Sequence, residues 1–128
     1  MSNNTTRTAL VVEDDRLMVH LLKVILEREG FVIVEAADGL AARTWIDNAP
    51  APPDLITLDV LLPHANGYQL LESIRAKDGW KTVPVIMLSA KSQEQDVVRA
   101  LDSGASDYVV KPFKPEEFRA RIRRLLKS

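Results

Sequence analysis

The chain has 128 residues, 46% of them hydrophobic, and its 17 Lys and Arg against 18 Asp and Glu leave a net charge of −1 at pH 7. That length fits one domain able to bury a core without staples, and the balanced charge gives no bulk attraction to nucleic acid or to a membrane surface. With no cysteine, disulfides and thiolate metal sites are excluded.

Residues 1–7 are polar and carry no apolar signal core, and no apolar run approaches the about 20 residues that span a bilayer. These features predict a cytoplasmic protein with no membrane partner, a disordered tail over residues 1–7 and one domain over residues 8–128. The first apolar run is Ala9–Val12. Met18, Leu21, Leu22 and Ile25 then recur at helical spacing, and Gly30 supplies a stop. Phe31–Val34 is the second run, followed by a second helical stripe of Ala41, Ala42, Trp45 and Ile46. The Pro-rich stretch from Ala49 to Pro53 reads as a stiff loop into the third run, Leu55–Leu58. Asn66-Gly67 opens a helix whose buried positions are Tyr68, Leu70, Leu71 and Ile74. After the fourth run, Val85–Leu88, Ser92 and Gln95 form a capping-box pattern ahead of Val97, Val98 and Leu101, and Gly104 ends that helix. The fifth run is Tyr108–Val110. The last helix starts at Pro115, with Glu116 and Glu117 at the positive end of its dipole and Phe118, Ile122, Leu125 and Leu126 on its buried face.

The five runs lack polar alternation, as strands covered on both faces do. Five-fold β-α alternation predicts an α/β, doubly wound parallel sheet. In such sheets ligands bind beyond the carboxyl ends of the strands. Those ends carry Glu13, Asp14 and Asp15 after the first run, Asp59 after the third, Ser89 after the fourth and Lys111 after the fifth. Clustered carboxylates repel unless protons or a cation neutralise them. An all-oxygen donor set favours a hard cation such as Mg²⁺, which typically takes one or two carboxylates and keeps several waters. A carboxylate can attack phosphorus as a covalent nucleophile. A metal, a lysine and a hydroxyl can then neutralise the oxygens of a transferring phosphoryl group.

Four segments carry a family resemblance: Leu10-Val11-Val12-Glu13-Asp14-Asp15; Leu58-Asp59-Val60-Leu61-Leu62-Pro63 with Asn66-Gly67; Met87-Leu88-Ser89-Ala90; and the run from Gly104 to Phe113. In this order and spacing they resemble the receiver domain of the bacterial two-component response-regulator family. The resemblance implies a flavodoxin-like (βα)5 fold with strand order 2-1-3-4-5. It implies that Asp59 is the phosphoacceptor, Asp14 the direct Mg²⁺ ligand and Glu13 an acidic neighbour acting largely through water. The backbone carbonyl of Leu61 would be the third protein ligand, and Ser89 and Lys111 would contact the phosphoryl group. The Lys111-Pro112 bond is cis in this family, and Tyr108 matches its aromatic switch position. The implied cycle takes a phosphoryl group from a histidine kinase or phosphotransfer protein, draws Ser89 toward it and lets Tyr108 turn inward. That alters the surface of the fourth helix, fifth strand and fifth helix. Such a protein is a signalling phosphoacceptor with slow self-dephosphorylation, not a turnover enzyme.

Plainer readings exist for each residue taken singly. Asp59 alone would be a turn former, Ser89 a routine strand-end serine, Lys111 a solvated lysine and Tyr108 a packing residue; Asp15 reads as the cap of the first helix. His20 and His64 are expected to be exposed, and Trp45 and Trp80 to pack. Seven basic residues from Lys111 onward face only Glu116 and Glu117. That imbalance fits DNA contact, a solvated face with intrahelical pairs, or a docking surface. The solvated face is the simplest, so no direct nucleic-acid binding by this domain is expected. The run from Lys111 to Ile122 is similar to receivers of the transcription-factor type, which pair through this region, and implies a weak homodimer.

Rival chemistries fit less well. A flavodoxin-type nucleotide binder needs a Ser/Thr/Gly-rich phosphate loop where this chain has Glu13-Asp14-Asp15. A haloacid-dehalogenase-type phosphatase wants a second Asp where this chain has Leu61. A degenerate receiver, acting as a phosphorylation-independent binding module, would normally have lost the acceptor, an acidic ligand or the lysine.

Overall fold

The computed structural model describes residues 6–63 and 65–127. The elements run β1 (Arg7–Val12), α1 (Arg16–Arg28), β2 (Phe31–Ala36), α2 (Gly39–Asn48), β3 (Leu55–Asp59), α3 (Gly67–Ala76), β4 (Val85–Ser89), α4 (Glu94–Asp102), β5 (Asp107–Val110) and α5 (Pro115–Leu126). The five strands form one parallel sheet in the order β2-β1-β3-β4-β5, the flavodoxin-like arrangement. No helix among the described residues is long and apolar enough to cross a membrane.

Side-chain alternation along each strand divides the core in two. Leu10, Val12, Ile56, Leu58, Val85, Met87 and Tyr108 pack with Ala42, Ile46, Leu71 and Ile74 on the face covered by α2, α3 and α4. Ala9, Val11, Leu55, Ile86, Leu88 and Val109 pack with Leu22, Leu26, Phe118 and Ile122 on the face covered by α1 and α5. Both faces are sealed, which is why the runs read as continuously apolar. Trp80 is buried and meets Trp45 edge-on at 6.4 Å, a packing role for both.

Several local signals act as the sequence predicts. Asp15 caps α1 by accepting from the N–H groups of Leu17 and Met18. Asn66 caps α3, Pro115 opens α5, and Gly30 and Gly104 take the left-handed conformation that ends α1 and α4. Other details differ. The cap of α4 is Gln93, whose N–H donates to Asp96, instead of the predicted Ser92 and Gln95. Both pairs satisfy the same three-residue spacing, so sequence alone does not fix which turn starts the helix. Ala41 is exposed, as are Val98 and Leu101; Ala100 is the buried residue of α4. The predicted tail lies mostly outside the described residues, and Arg7 already belongs to β1. Leu61–Leu62 and Ala65–Asn66 form a small antiparallel hairpin that two-residue strands give no periodicity to reveal. His20 is exposed; His64 lies outside the described residues.

Two buried side-chain atoms, the Thr57 hydroxyl and Arg119 Nε, have no hydrogen-bond partner among the described residues. Thr57, in the middle of β3, is fully buried, and its hydroxyl finds no hydrogen bond among the described residues. A buried unpaired hydroxyl costs about 1–3 kcal/mol. Thr57→Val keeps the branched shape and removes that cost, so urea titration should show the variant more stable by about 1 kcal/mol. A loss of stability would mean that the hydroxyl is satisfied in solution.

Candidate functional site

The sheet's register builds the site. Residues 9 and 11 of β1, 55 of β3 and 109 of β5 face α1 and α5, so alternation carries Glu13, Asp59 and Lys111 to that side at the carboxyl rim. The ladder extends one residue past the strand ends to hold them there. The Glu13 N–H donates to the Ala36 carbonyl at 3.0 Å and the Lys111 N–H to the Ser89 carbonyl at 2.8 Å. Ser89 and Tyr108 fall on the opposite face, toward α4, by the same alternation.

Lys111 joins the two buried carboxylates. Its Nζ donates to Glu13 Oε1 at 2.8 Å and to Asp59 Oδ2 at 3.0 Å. Glu13 is 1% exposed and Asp59 6%. The other oxygen of Asp59 accepts from the Leu61 N–H at 3.0 Å, and the other oxygen of Glu13 from the Asp15 N–H at 3.2 Å. Asp14 is exposed, yet one oxygen each from Glu13, Asp14 and Asp59 lie within 4.8 Å of one another. Three carboxylates against one lysine leave a surplus of negative charge, and oxygen-only donors at this separation fit a hard divalent cation. The site can thus hold a metal at Glu13, Asp14 and Asp59.

Burial, together with the nearby charge of Asp59, pushes the Glu13 carboxyl up to about 7, with the hydrogen bond from Lys111 partly offsetting the rise. For Lys111, burial works against the charge, but its bonds to Glu13 and Asp59 outweigh burial and hold its pKa above the ordinary value. Lys111 therefore stays cationic.

On the α4 side, Ser89 is fully buried and its Oγ accepts from the Lys91 N–H at 3.0 Å. Tyr108 is 7% exposed, and its hydroxyl donates to the Lys91 carbonyl at 2.9 Å. The ring therefore stands inward in this structure, where a backbone carbonyl accepts from its hydroxyl. The Lys111-Pro112 peptide is cis. Leu61, whose backbone carbonyl was expected to ligate metal, has its side chain 57% exposed at the rim.

Two contributions escaped the sequence reading. Gly67 reads only as a helix entry, yet a Cβ there would come within 2.5 Å of the Asp59 carbonyl oxygen and 2.8 Å of the Val60 Cα. The absence of a side chain lets α3 start directly against the end of β3. Tyr68 and Arg99 carry no motif, but Arg99 stacks on the Tyr68 ring, beside the segment that holds Ser89 and Tyr108.

A parallel five-stranded α/β sheet with an acidic, lysine-bridged pocket at its carboxyl rim defines the receiver class of signalling domain. The chain matches the model of the response regulator receiver domain over residues 9–123, and it belongs to that family. It is 43% identical over 118 residues to the DNA-binding response regulator MtrA of Mycobacterium tuberculosis, covering 92% of this chain and 50% of that protein. It is 40% identical over 121 residues to the phosphate regulon transcriptional regulatory protein PhoB of Escherichia coli, covering 94% of this chain and 52% of the other. The chain thus spans about half the length of these curated relatives. Among solved structures, it is similar to the receiver domain of sensor histidine kinase PA1611 from Pseudomonas aeruginosa, which has a magnesium ion coordinated in its active site cleft. That likeness has a TM-score of 0.85 at 30% identity, covering 97% of this chain and 100% of that one. The domain is a phosphoacceptor module of two-component signalling.

The raised Glu13 pKa has a measurable consequence. The folded state binds this proton more tightly than the unfolded state, so Glu13 contributes stability below its ordinary pKa of 4.5 that is lost as pH rises to about 7. In chelator, the unfolding free energy of the wild type relative to Glu13→Gln should fall across that window and stay flat on either side. A difference that is constant with pH would show that the Glu13 carboxyl titrates normally.

Proposed function

We propose that Asp59 is the residue that takes the phosphoryl group, within one receiver domain over residues 8–128. The observation that supports this best is the convergence of Asp59, Glu13, Asp14 and Lys111 at the carboxyl rim, with Lys111 hydrogen-bonded to Asp59. A carboxylate oxygen of Asp59 attacks the phosphorus of a partner's phosphohistidine. The phosphorus–oxygen bond forms, the phosphorus–nitrogen bond breaks, and the electron pair leaves with the imidazole. The product is an acyl phosphate. Lys111 already sits 3.0 Å from Asp59 Oδ2, where its charge meets the incoming phosphoryl oxygens. Ser89 donates its hydroxyl to the same group once drawn across the rim.

Mg²⁺ would be held by Asp14 and Asp59, by the Leu61 carbonyl, and by Glu13 largely through water; bound there, it would supply the positive charge that lets a carboxylate approach a phosphoryl dianion. The donor is a histidine kinase or a phosphotransfer protein, and the domain acts in the cytoplasm. Self-dephosphorylation is slow, so the domain signals and does not turn over substrate. Leu61 at the rim is apolar, so it orients no water for attack by hydrogen bonding.

The surface of α4, β5 and α5 is the output face and the site of weak homodimerisation. Val98, Leu101 and Val110 are each at least 36% exposed there, beside charges that are paired within the chain. Arg121 donates to both oxygens of Asp107 and to Glu117. Together with Arg119–Glu116 and Arg123–Glu29, these pairs favour a solvated face, the reading under which this domain makes no direct nucleic-acid contact.

Incubation with acetyl phosphate and Mg²⁺ should add one phosphoryl group by intact mass, mapped to Asp59 and absent from Asp59→Asn. Full labelling of that variant would remove Asp59 from the role.

Asp14 and Asp15 should separate cleanly. Asp14→Ala should abolish most Mg²⁺ affinity in a fluorescence or NMR titration. Asp15→Ala should cost about 1 kcal/mol of stability from the lost cap and leave metal affinity near wild type. Equal loss of affinity in both would overturn the assignment of Asp14.

Sedimentation with and without beryllofluoride, a phosphoryl mimic, should show weak self-association that strengthens on activation. A monomer in both states would assign the exposed face to a different partner.

A further inference from the structure

The helix that changes position in the proposed switch is poorly anchored by apolar burial. Ala100 is the buried residue of α4, while Val98 and Leu101 are 47% and 49% exposed. Its C-terminal end is tied by polar contacts. The Ala105 N–H donates to the Ala100 carbonyl at 3.0 Å, and Arg75 Nε donates to the Gly104 carbonyl at 2.8 Å. Two tyrosines from different elements reach the segment that runs from Lys91, ahead of the helix, to Arg99 in its last turn. Tyr108 of β5 donates to the Lys91 carbonyl at 2.9 Å. Tyr68 of α3 is 3% exposed and donates to the Asp96 carbonyl at 3.4 Å. The guanidinium carbon of Arg99 lies 4.0 Å from the centroid of the Tyr68 ring, well inside the range of a cation–π contact. Arg99 makes no ion pair among the described residues, so the ring is its main partner.

We propose that Tyr68 and Arg99 form a latch, the positioning residues that tie α4 to α3 so that the chain entering the helix stays where the Tyr108 hydroxyl can reach the Lys91 carbonyl. Stacking fixes the turn carrying Arg99 against α3. The turn before it carries the Asp96 carbonyl, and the chain leading into the helix carries Lys91. Without the latch, the end of α4 near Ser89 is free to move away, and Tyr108 loses the acceptor that keeps it inward. The latch therefore favours the inward arrangement of Tyr108. By linkage, whatever favours that arrangement also raises affinity for the phosphoryl state that shares it. This last step rests on the reading of Asp59 as acceptor; the effect of the latch on α4 itself does not.

The test compares Arg99→Gln, Arg99→Lys, Tyr68→Leu and Tyr68→Phe with the wild-type chain. Hydrogen exchange of the amides of α4 is measured without ligand. Loss of an exposed to half-desolvated cation–π pair should speed exchange by about two- to fivefold in Arg99→Gln and Tyr68→Leu. Arg99→Lys and Tyr68→Phe keep a cation and a ring, so they should recover most of the protection. A beryllofluoride titration in Mg²⁺ should show the midpoint raised by a similar factor in the first pair and restored in the second. Arg99 is on the surface, so Arg99→Gln should fold with its melting temperature lowered by no more than a few degrees, even if Tyr68→Leu does not fold. Wild-type exchange of α4 in Arg99→Gln would overturn the latch, as would equal loss in Arg99→Gln and Arg99→Lys. Failure of every chain, wild type included, to bind beryllofluoride would instead count against Asp59 as acceptor, leaving the exchange result to decide the latch.

Discussion

Lys111 is the group on which the rim depends. Three carboxylates brought together from β1 and β3 would repel one another, and two of them are nearly sealed from water. Burying such charge is tolerated only when it is paired and hydrogen-bonded. Lys111 provides that by bonding to Glu13 and Asp59 at once, while backbone N–H groups of Asp15 and Leu61 take the remaining oxygens. The balance is incomplete by design of the residue count: one cation against three acids leaves room for a divalent ion. The upward shift of Glu13 comes first from burial and then from the charge of Asp59, and the lysine offsets these only in part. The same lysine is placed by the β4–β5 ladder, whose last rung runs from its own N–H to the Ser89 carbonyl. The charge that holds the site together and the hydroxyl that responds to it thus share one backbone contact.

The alternation of the sheet separates chemistry from response. Glu13, Asp59 and Lys111 belong to the face of α1 and α5, whereas Ser89 and Tyr108 belong to the face of α4. Under the role proposed for Asp59, a charge change there would be communicated around the carboxyl end of β4, not through the packed core. That is an economical arrangement physically, because the core faces are close-packed and resist graded deformation. In α4, Ala100 reaches the core and Val97 packs against it, and backbone carbonyls, tyrosine hydroxyls and one stacked arginine hold the rest of a helix with little buried area. Local stability is lowest where burial is least, so α4 is the element that a modest change in local energy can move.

The curated relatives named above are about twice the length of this chain. The proposed output face is formed by α4, β5 and α5. Here that face mixes exposed aliphatic side chains with the internally paired Asp107, Arg121 and Glu117. Pairs of this kind are individually weak in water, so they can be exchanged for equivalent pairs with a partner at small cost.

Much of this was legible in one dimension. The five apolar runs, the helix stops at Gly30 and Gly104, the caps at Asp15 and Asn66 and the entry at Pro115 follow from local backbone and hydrogen-bond chemistry, which acts over a few residues. The sequence by itself therefore determined the order and type of the elements. Through four spaced segments, it also determined which side chains reach the carboxyl rim. What tertiary structure alone decided depends on distance between segments far apart in the chain. It chose Gln93 over Ser92 as the start of α4, and it left Val98 and Leu101 in water although their spacing is that of a buried stripe. It turned Tyr108 inward onto a carbonyl, set Gly67 against the Asp59 carbonyl, and stacked Arg99 on Tyr68. A helical period says that one face is apolar, but only packing decides whether anything covers it. A lysine in the sequence says that a charge is present, but only the register of five strands brings it to 2.8 Å from Glu13.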